Sequence, residues 1–133
     1  MVLSHEVKEG FPSITVLHVA GAIDGSNYLN LINEVKELCA HETEYLLLDL
    51  ENCNFLSSAG LFALHSIALI THNHIPLDPQ NGWSSLHTMT DEKREFKEKF
   101  KIVHLQPNIQ RTLEIAGMLS LFDIYADIEE SLS

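Results

Sequence analysis

Tyr45-Leu46-Leu47-Leu48-Asp49-Leu50 is apolar at nearly every position, without alternation between faces, and is bounded by polar residues. A run this short reads as a strand, and a strand apolar on both sides has to be covered on both sides, as in a parallel sheet under crossover helices. The neighbouring segments supply such helices. After Gly21-Ala22-Ile23-Asp24-Gly25, Ser26 or Asn27 caps a helix whose Tyr28, Leu31, Ile32, Val35, Leu38 and Cys39 share one face and which runs to about Ala40. Asn52-Cys53-Asn54 turns the chain, and a second helix runs from about Ser58 to Thr71.

Upstream, Leu3 to Val7 alternates, Glu9-Gly10-Phe11-Pro12-Ser13 is a turn cluster and Ile14 to Ala20 is β-branched, which predicts an opening hairpin. Downstream, Lys101-Ile102-Val103-His104-Leu105 predicts another buried strand. Pro107 suits the first position of a third helix carrying Ile109, Leu113 and Ala116, ended by Gly117. The tail from Phe122 to Leu132 offers a short extended piece and a last helical turn begun by Asp127. The order ββαβαβα plus a tail predicts an α/β fold, a small mixed sheet of four to five strands flanked by helices.

A chain of 133 residues has room for one core, so 1–133 is read as a single domain. The break between Thr71 and Lys101 exceeds the about four to six residues of an ordinary connection, and 73–100 is read as an insertion. It holds Pro76, Pro79, Gly82 and Trp83, then a charge-dense stretch with Lys93, Arg94, Lys97 and Lys99, which with the adjoining Lys101 make five of the eight basic residues. Met89, Phe96 and Phe100 fall on one helical face, and Glu95 with Lys99 makes an i,i+4 pair. Two readings stand, a docking arm for a partner or a solvated helix over one edge of the domain.

A formal net charge of −11 repels the phosphate backbone, which excludes direct nucleic-acid binding and disfavours anionic membranes. The stretch Asn52 to Leu77 has no charged residue, but its apolar part, Ala59 to Ile70, is too short to span a bilayer, so no membrane insertion is expected. The N-terminus lacks a basic flank followed by an apolar run, and Cys39 and Cys53 read as two free thiols, which together predict a cytoplasmic protein.

Chemistry concentrates in Phe55-Leu56-Ser57-Ser58-Ala59-Gly60-Leu61, two hydroxyls at the start of an apolar helix. A serine there caps the free amides of the first turn, contributing about 1 kcal/mol. The same place favours an added phosphate, because the helix dipole and unpaired amides stabilise negative charge. Gly60 and Ala59 keep the turn thin enough for another protein to approach. Ser58 and His65 lie two turns apart, about 10 Å along the axis, too far for a catalytic pair, and no nucleophile elbow is present. His72-Asn73-His74, with His65 nearby, lacks a recognised ligand spacing, and no phosphate-binding Gly-rich loop occurs. No enzymatic activity, metal or cofactor is expected.

The segment ending Asp49-Leu50, then Phe55-Leu56-Ser57-Ser58-Ala59-Gly60-Leu61, resembles the signature of STAS domains, the family of bacterial anti-sigma factor antagonists and of cytoplasmic domains of some anion transporters. Val19-Ala20-Gly21-Ala22-Ile23-Asp24 and Leu113-Glu114-Ile115-Ala116-Gly117-Met118, with Phe122 following, are similar to two further motifs of that family in the same order. The resemblance implies a STAS-like fold and a regulator of transcription that acts by protein–protein contact. It implies that Ser58 is phosphorylated by an anti-sigma factor that is also a serine kinase, and that a PP2C-type phosphatase resets it. Unmodified Ser58 would dock on that kinase with Asp24, Ser57, Ala59, Gly60 and Leu61 around it. Asp24 either orients the Ser58 hydroxyl or stabilises the turn before Gly25. Ser57 stands where many phosphorylated members have Asp, so Ser57 is the alternative acceptor. A scaffold or sensor subunit of a stress-signalling complex, an accessory subunit of a membrane transporter, and a homodimer are all compatible with the same motifs.

Overall fold

The computed structural model describes residues 1–8, 13–41, 43–72 and 96–132. Their order is β1 (Val2–Lys8), β2 (Ile14–Ala20), α1 (Tyr28–Ala40), β3 (Tyr45–Asn52), α2 (Ser58–Thr71), β4 (Phe96–Val103), α3 (Pro107–Ile115), a 3-10 turn (Leu119–Leu121), β5 (Phe122–Tyr125) and α4 (Ile128–Leu132). The strands form one five-stranded sheet in the order β1-β2-β3-β4-β5, with β1 antiparallel to β2 and every later pair parallel. The expected mixed sheet flanked by helices is present, and the extended piece of the tail is its fifth strand.

Among the described residues the two faces of the sheet are covered unequally. On one, Leu17, Leu46, Leu48, Leu50, Phe100 and Ile102 join Leu31 and Val35 of α1, Leu64 and Ile67 of α2, and Ile109 and Leu113 of α3 in the main core. Every residue of α2 from Gly60 to Leu69 is buried, which explains why that segment carries no charge. On the other face the described residues form a smaller apolar cluster, Val16, Leu47 and Val103, with Ile14, Tyr125 and Ile128 packed on them. There α4 is tied down by Lys101, whose ammonium donates to the Ser131 carbonyl at 2.7 Å and lies 5.1 Å from the Tyr125 ring centre.

α3 ends as its sequence predicts: Gly117 has φ +73, its amide donates to Glu114 and that of Met118 to Leu113, satisfying carbonyls the helix leaves open. β4 departs from expectation. It begins at Phe96 rather than Lys101, so residues 96–100 are strand rather than the helix expected over them. Phe100 is fully buried, opposite Leu46 in β3, and its ring meets that of Phe122 edge-on at 5.9 Å. Pairing with β3 and β5 overrides the local helical spacing, as tertiary context commonly does. The remainder of the expected insertion, 73–95, with Trp83 and Met89, lies outside the described residues. Among those described, no helix is long and apolar enough to cross a membrane.

Candidate functional site

Two loops at the C-terminal ends of β2 and β3 are stitched together. The Gly21 amide donates to Asn52 at 2.9 Å, that of Ile23 to Phe55 at 3.0 Å and that of Ser57 back to Ile23 at 3.0 Å, making an isolated parallel bridge between Ile23 and Leu56. This fixes the entry to α2. Ser57 is extended (φ −84, ψ −179); its hydroxyl oxygen accepts the Gly60 amide at 3.3 Å and its carbonyl accepts that of Leu61 at 3.0 Å. Ser57 is therefore the N-cap.

Ser58, the next residue, is the first of the helix and is exposed. Its hydroxyl makes no hydrogen bond to another described residue, and the Ser58 and Ala59 amides have no acceptor among them. Beside it Phe55 is 53% exposed, an unusual state for a large aromatic ring, while Leu56 on the same loop is buried. Ala59 is half-buried.

Gly60 and Leu61 face inward and belong to the core side of the turn. A Cβ on Gly60 would stand 2.8 Å from the Ile23 carbonyl oxygen and 3.0 Å from Leu56 Cδ2. The glycine thus lets α2 approach the β2–α1 loop.

Asp24 continues from Ile23 into α1. Its Oδ1 accepts the Ser26 amide at 2.9 Å and the Ser26 hydroxyl at 2.5 Å, and its carbonyl accepts the Asn27 and Tyr28 amides. The Ser26 hydroxyl, then the Ser26 amide, holds the Asp24 carboxyl below its ordinary range. Of the two roles expected for Asp24, the turn-stabilising one is formed, and no hydrogen bond joins it to Ser58. Asn27 sits at the N-cap of α1 but turns its side chain backward, accepting from the Asp24 amide and donating to the Ala22 carbonyl.

A second polar cluster, not anticipated from the sequence, lies on the thinly covered face of the sheet. Asp49, in β3, is 6% exposed, and each of its oxygens meets an imidazole: Oδ2 lies 2.7 Å from His18 Nδ1, and Oδ1 lies 2.9 Å from His104 Nδ1. Oδ1 also accepts the Glu51 amide at 3.0 Å, and His18 Nε2 is 3.4 Å from Glu6 Oε1 on β1. Burial pushes the Asp49 carboxyl up, but the Glu51 amide and the two imidazoles outweigh it and hold the group below its ordinary range. The signal was an acid inside an apolar strand, which requires partners; β-pairing brings them from β2 and from the residue after β4.

Cys39 and Cys53 are free, as expected, and burial pushes both thiols up, away from reactivity. His65 is buried in α2, and His72 closes that helix, with Nδ1 2.9 Å from the Ala68 carbonyl and Nε2 accepting the Lys99 amide at 3.2 Å. Neither is placed for joint metal ligation, and His74 lies outside the described residues.

The chain shares its fold with solved regulators. An anti-sigma factor antagonist from Mycobacterium paratuberculosis superposes with a TM-score of 0.65 at 21% identity, over 98% of this chain and 92% of that one. The phosphorylated form of SpoIIAA, a Bacillus cell fate determinant, does so at 0.56 and 10% identity, over 97% and 96%, and the unphosphorylated anti-sigma factor antagonist SpoIIAA at 0.51 and 9%, over 97% and 94%. Among curated protein sequences none is significantly similar to this one. The family model of the STAS domain matches residues 6–72, which take in the end of β1, all of β2, the stitched loops and both serines, and the chain belongs to the STAS domain family.

Proposed function

We propose that the protein is an anti-sigma factor antagonist-like regulator that changes partners through reversible phosphorylation of Ser58. The observation that carries this reading is the division of labour between the two serines. Ser57 is committed to capping, whereas the Ser58 hydroxyl stands exposed at the first residue of α2 beside amides that have no acceptor among the described residues. A kinase needs an accessible hydroxyl, and a phosphate placed there gains the helix dipole and the Ser58 and Ala59 amides as donors. The kinship with an anti-sigma factor antagonist and with the phosphorylated form of SpoIIAA supports the same reading.

Unmodified, the exposed Phe55 ring and the Ser58 edge of α2 present an apolar and polar surface for an anti-sigma factor with serine-kinase activity. Phosphorylation adds about −1.5 to −2 charges in that contact and disfavours docking by desolvation and repulsion. A PP2C-type phosphatase restores the docking form. The protein itself works by binding, in the cytoplasm, and transfers no group.

Intact-mass and phosphopeptide analysis of the protein recovered from its own cells tests this, alongside Ser57→Ala and Ser58→Ala. One phosphate is expected, lost with Ser58→Ala and kept with Ser57→Ala. A phosphate on Ser57, or none in growth and stress alike, overturns the switch.

A further inference from the structure

The buried carboxylate of Asp49 and its neighbours lie apart from Ser58 and form a cluster that capping and phosphorylation do not use. His104 Nδ1 stands 2.9 Å from Asp49 Oδ1 and 4.0 Å from Glu51 Oε2, and one donor atom from each of the three residues falls within 4.8 Å of the others. An ion held at about 2.0–2.2 Å by nitrogen and oxygen ligands sets those ligands roughly 3 to 4 Å apart. Glu51 has a side chain 67% exposed and is free to close the remaining gap by rotating.

We propose that Asp49, Glu51 and His104 bind a divalent transition-metal ion of the zinc class, with His18 and Glu6 positioning the carboxylate from behind. Two carboxylates and an imidazole suit a borderline cation better than a hard calcium or magnesium ion, which favours all-oxygen shells.

Three observations beyond the donor set support the assignment. His18 holds the far oxygen of Asp49 at 2.7 Å, and its second nitrogen faces Glu6 at 3.4 Å, the hydrogen-bonded outer shell that fixes metal ligands in orientation. His104 is the one non-glycine described residue with positive φ, +59, a conformation that costs energy and that aims its Nδ1 at Asp49. A net charge of −11 draws cations toward the cluster. On binding, the ion takes Nδ1 of His104, and the proton shared there with Asp49 moves to Nε2 or to solvent.

The test is calorimetric titration of the full chain with Zn2+ alone, in a phosphine reductant that keeps Cys39 and Cys53 reduced. One ion per chain is expected. Glu51→Gln, at an exposed side chain, should weaken it by about tenfold or more. His104→Gly keeps the positive φ accessible while removing the ligand, and should abolish binding. Ser58→Ala should bind as the unaltered chain does, which separates this site from the phosphorylation switch. No binding by the unaltered chain overturns the proposal, and so does binding that survives both Glu51→Gln and His104→Gly, which would place the ion on other histidines.

Discussion

Gly60 lies so close to Ile23 that a side-chain carbon on it would stand 2.8 Å from the Ile23 carbonyl oxygen, the same oxygen that accepts the Ser57 amide at 3.0 Å. The entry to α2 is thus built around a backbone contact that admits no Cβ. In an open helix Gly→Ala would stabilise by up to about 1 kcal/mol. Here the methyl meets backbone, which cannot rotate away, and overpacking costs about 1–3 kcal/mol. Gly60→Ala is therefore expected to be destabilising, read as a lower urea midpoint. An unchanged or raised midpoint would mean that α2 can slide outward at no cost.

Ser57 and Ser58 should separate cleanly in stability. Ser57→Ala removes the acceptor of the Gly60 amide and should cost about 1 kcal/mol, whereas Ser58→Ala deletes an exposed hydroxyl with no described partner and should stay within about 0.5 kcal/mol of neutral. Equal losses at the two positions would contradict the assignment of Ser57 as the cap. The same pair of variants in the phosphorylation experiment then separates loss of an acceptor from loss of the helix entry.

Much of this was legible because burial leaves a period in the sequence. The Leu46–Leu50 run, the face of α1 and the Pro107 and Gly117 limits of α3 each state a local rule that the fold keeps. The capping role could also be read, since hydroxyls before an apolar run mark a helix start. What stayed hidden depends on partners remote in the chain. Nothing near Phe96–Lys99 signals a strand, because its charges mimic i,i+4 helical pairs and only β3 and β5 make it one. The inward role of Gly60 requires the carbonyl of Ile23, thirty-odd residues away. Asp49 announced a need for partners, but His18 and His104 stand 31 and 55 positions from it, and parallel register alone decides that they meet.

The positive φ of His104 makes a prediction about strain that is independent of any ligand. His104→Ala and His104→Gly both lose the bond to Asp49, so their difference isolates the backbone term. Glycine adopts that conformation freely, and alanine does so at about 1 kcal/mol. His104→Gly should be the more stable of the two by roughly that amount in urea. The reverse order would show that the loop after β4 relaxes to negative φ once the imidazole is gone.

Asp24 offers a test by pH, with the sign set by its Ser26 bonds. The hydroxyl and amide of Ser26 hold the folded-state carboxyl below its ordinary range, so the unfolded chain takes up a proton first as pH falls. The contribution to stability is therefore complete above the ordinary carboxylate range and is lost as pH drops through the folded-state value. Asp24→Asn replaces the charged acceptor by a neutral one of the same shape. It should lower the urea midpoint at about pH 7, and the gap from the unaltered chain should narrow as pH falls through the folded-state value. A gap that is constant with pH would assign the effect to the shape of the turn, including the backbone bonds from Asn27 and Tyr28, rather than to the charge. If Asp24 instead oriented the Ser58 hydroxyl, Asp24→Asn would slow phosphorylation of Ser58 while leaving the midpoint unmoved, and the Ser26 bonds seen here argue for the opposite pattern.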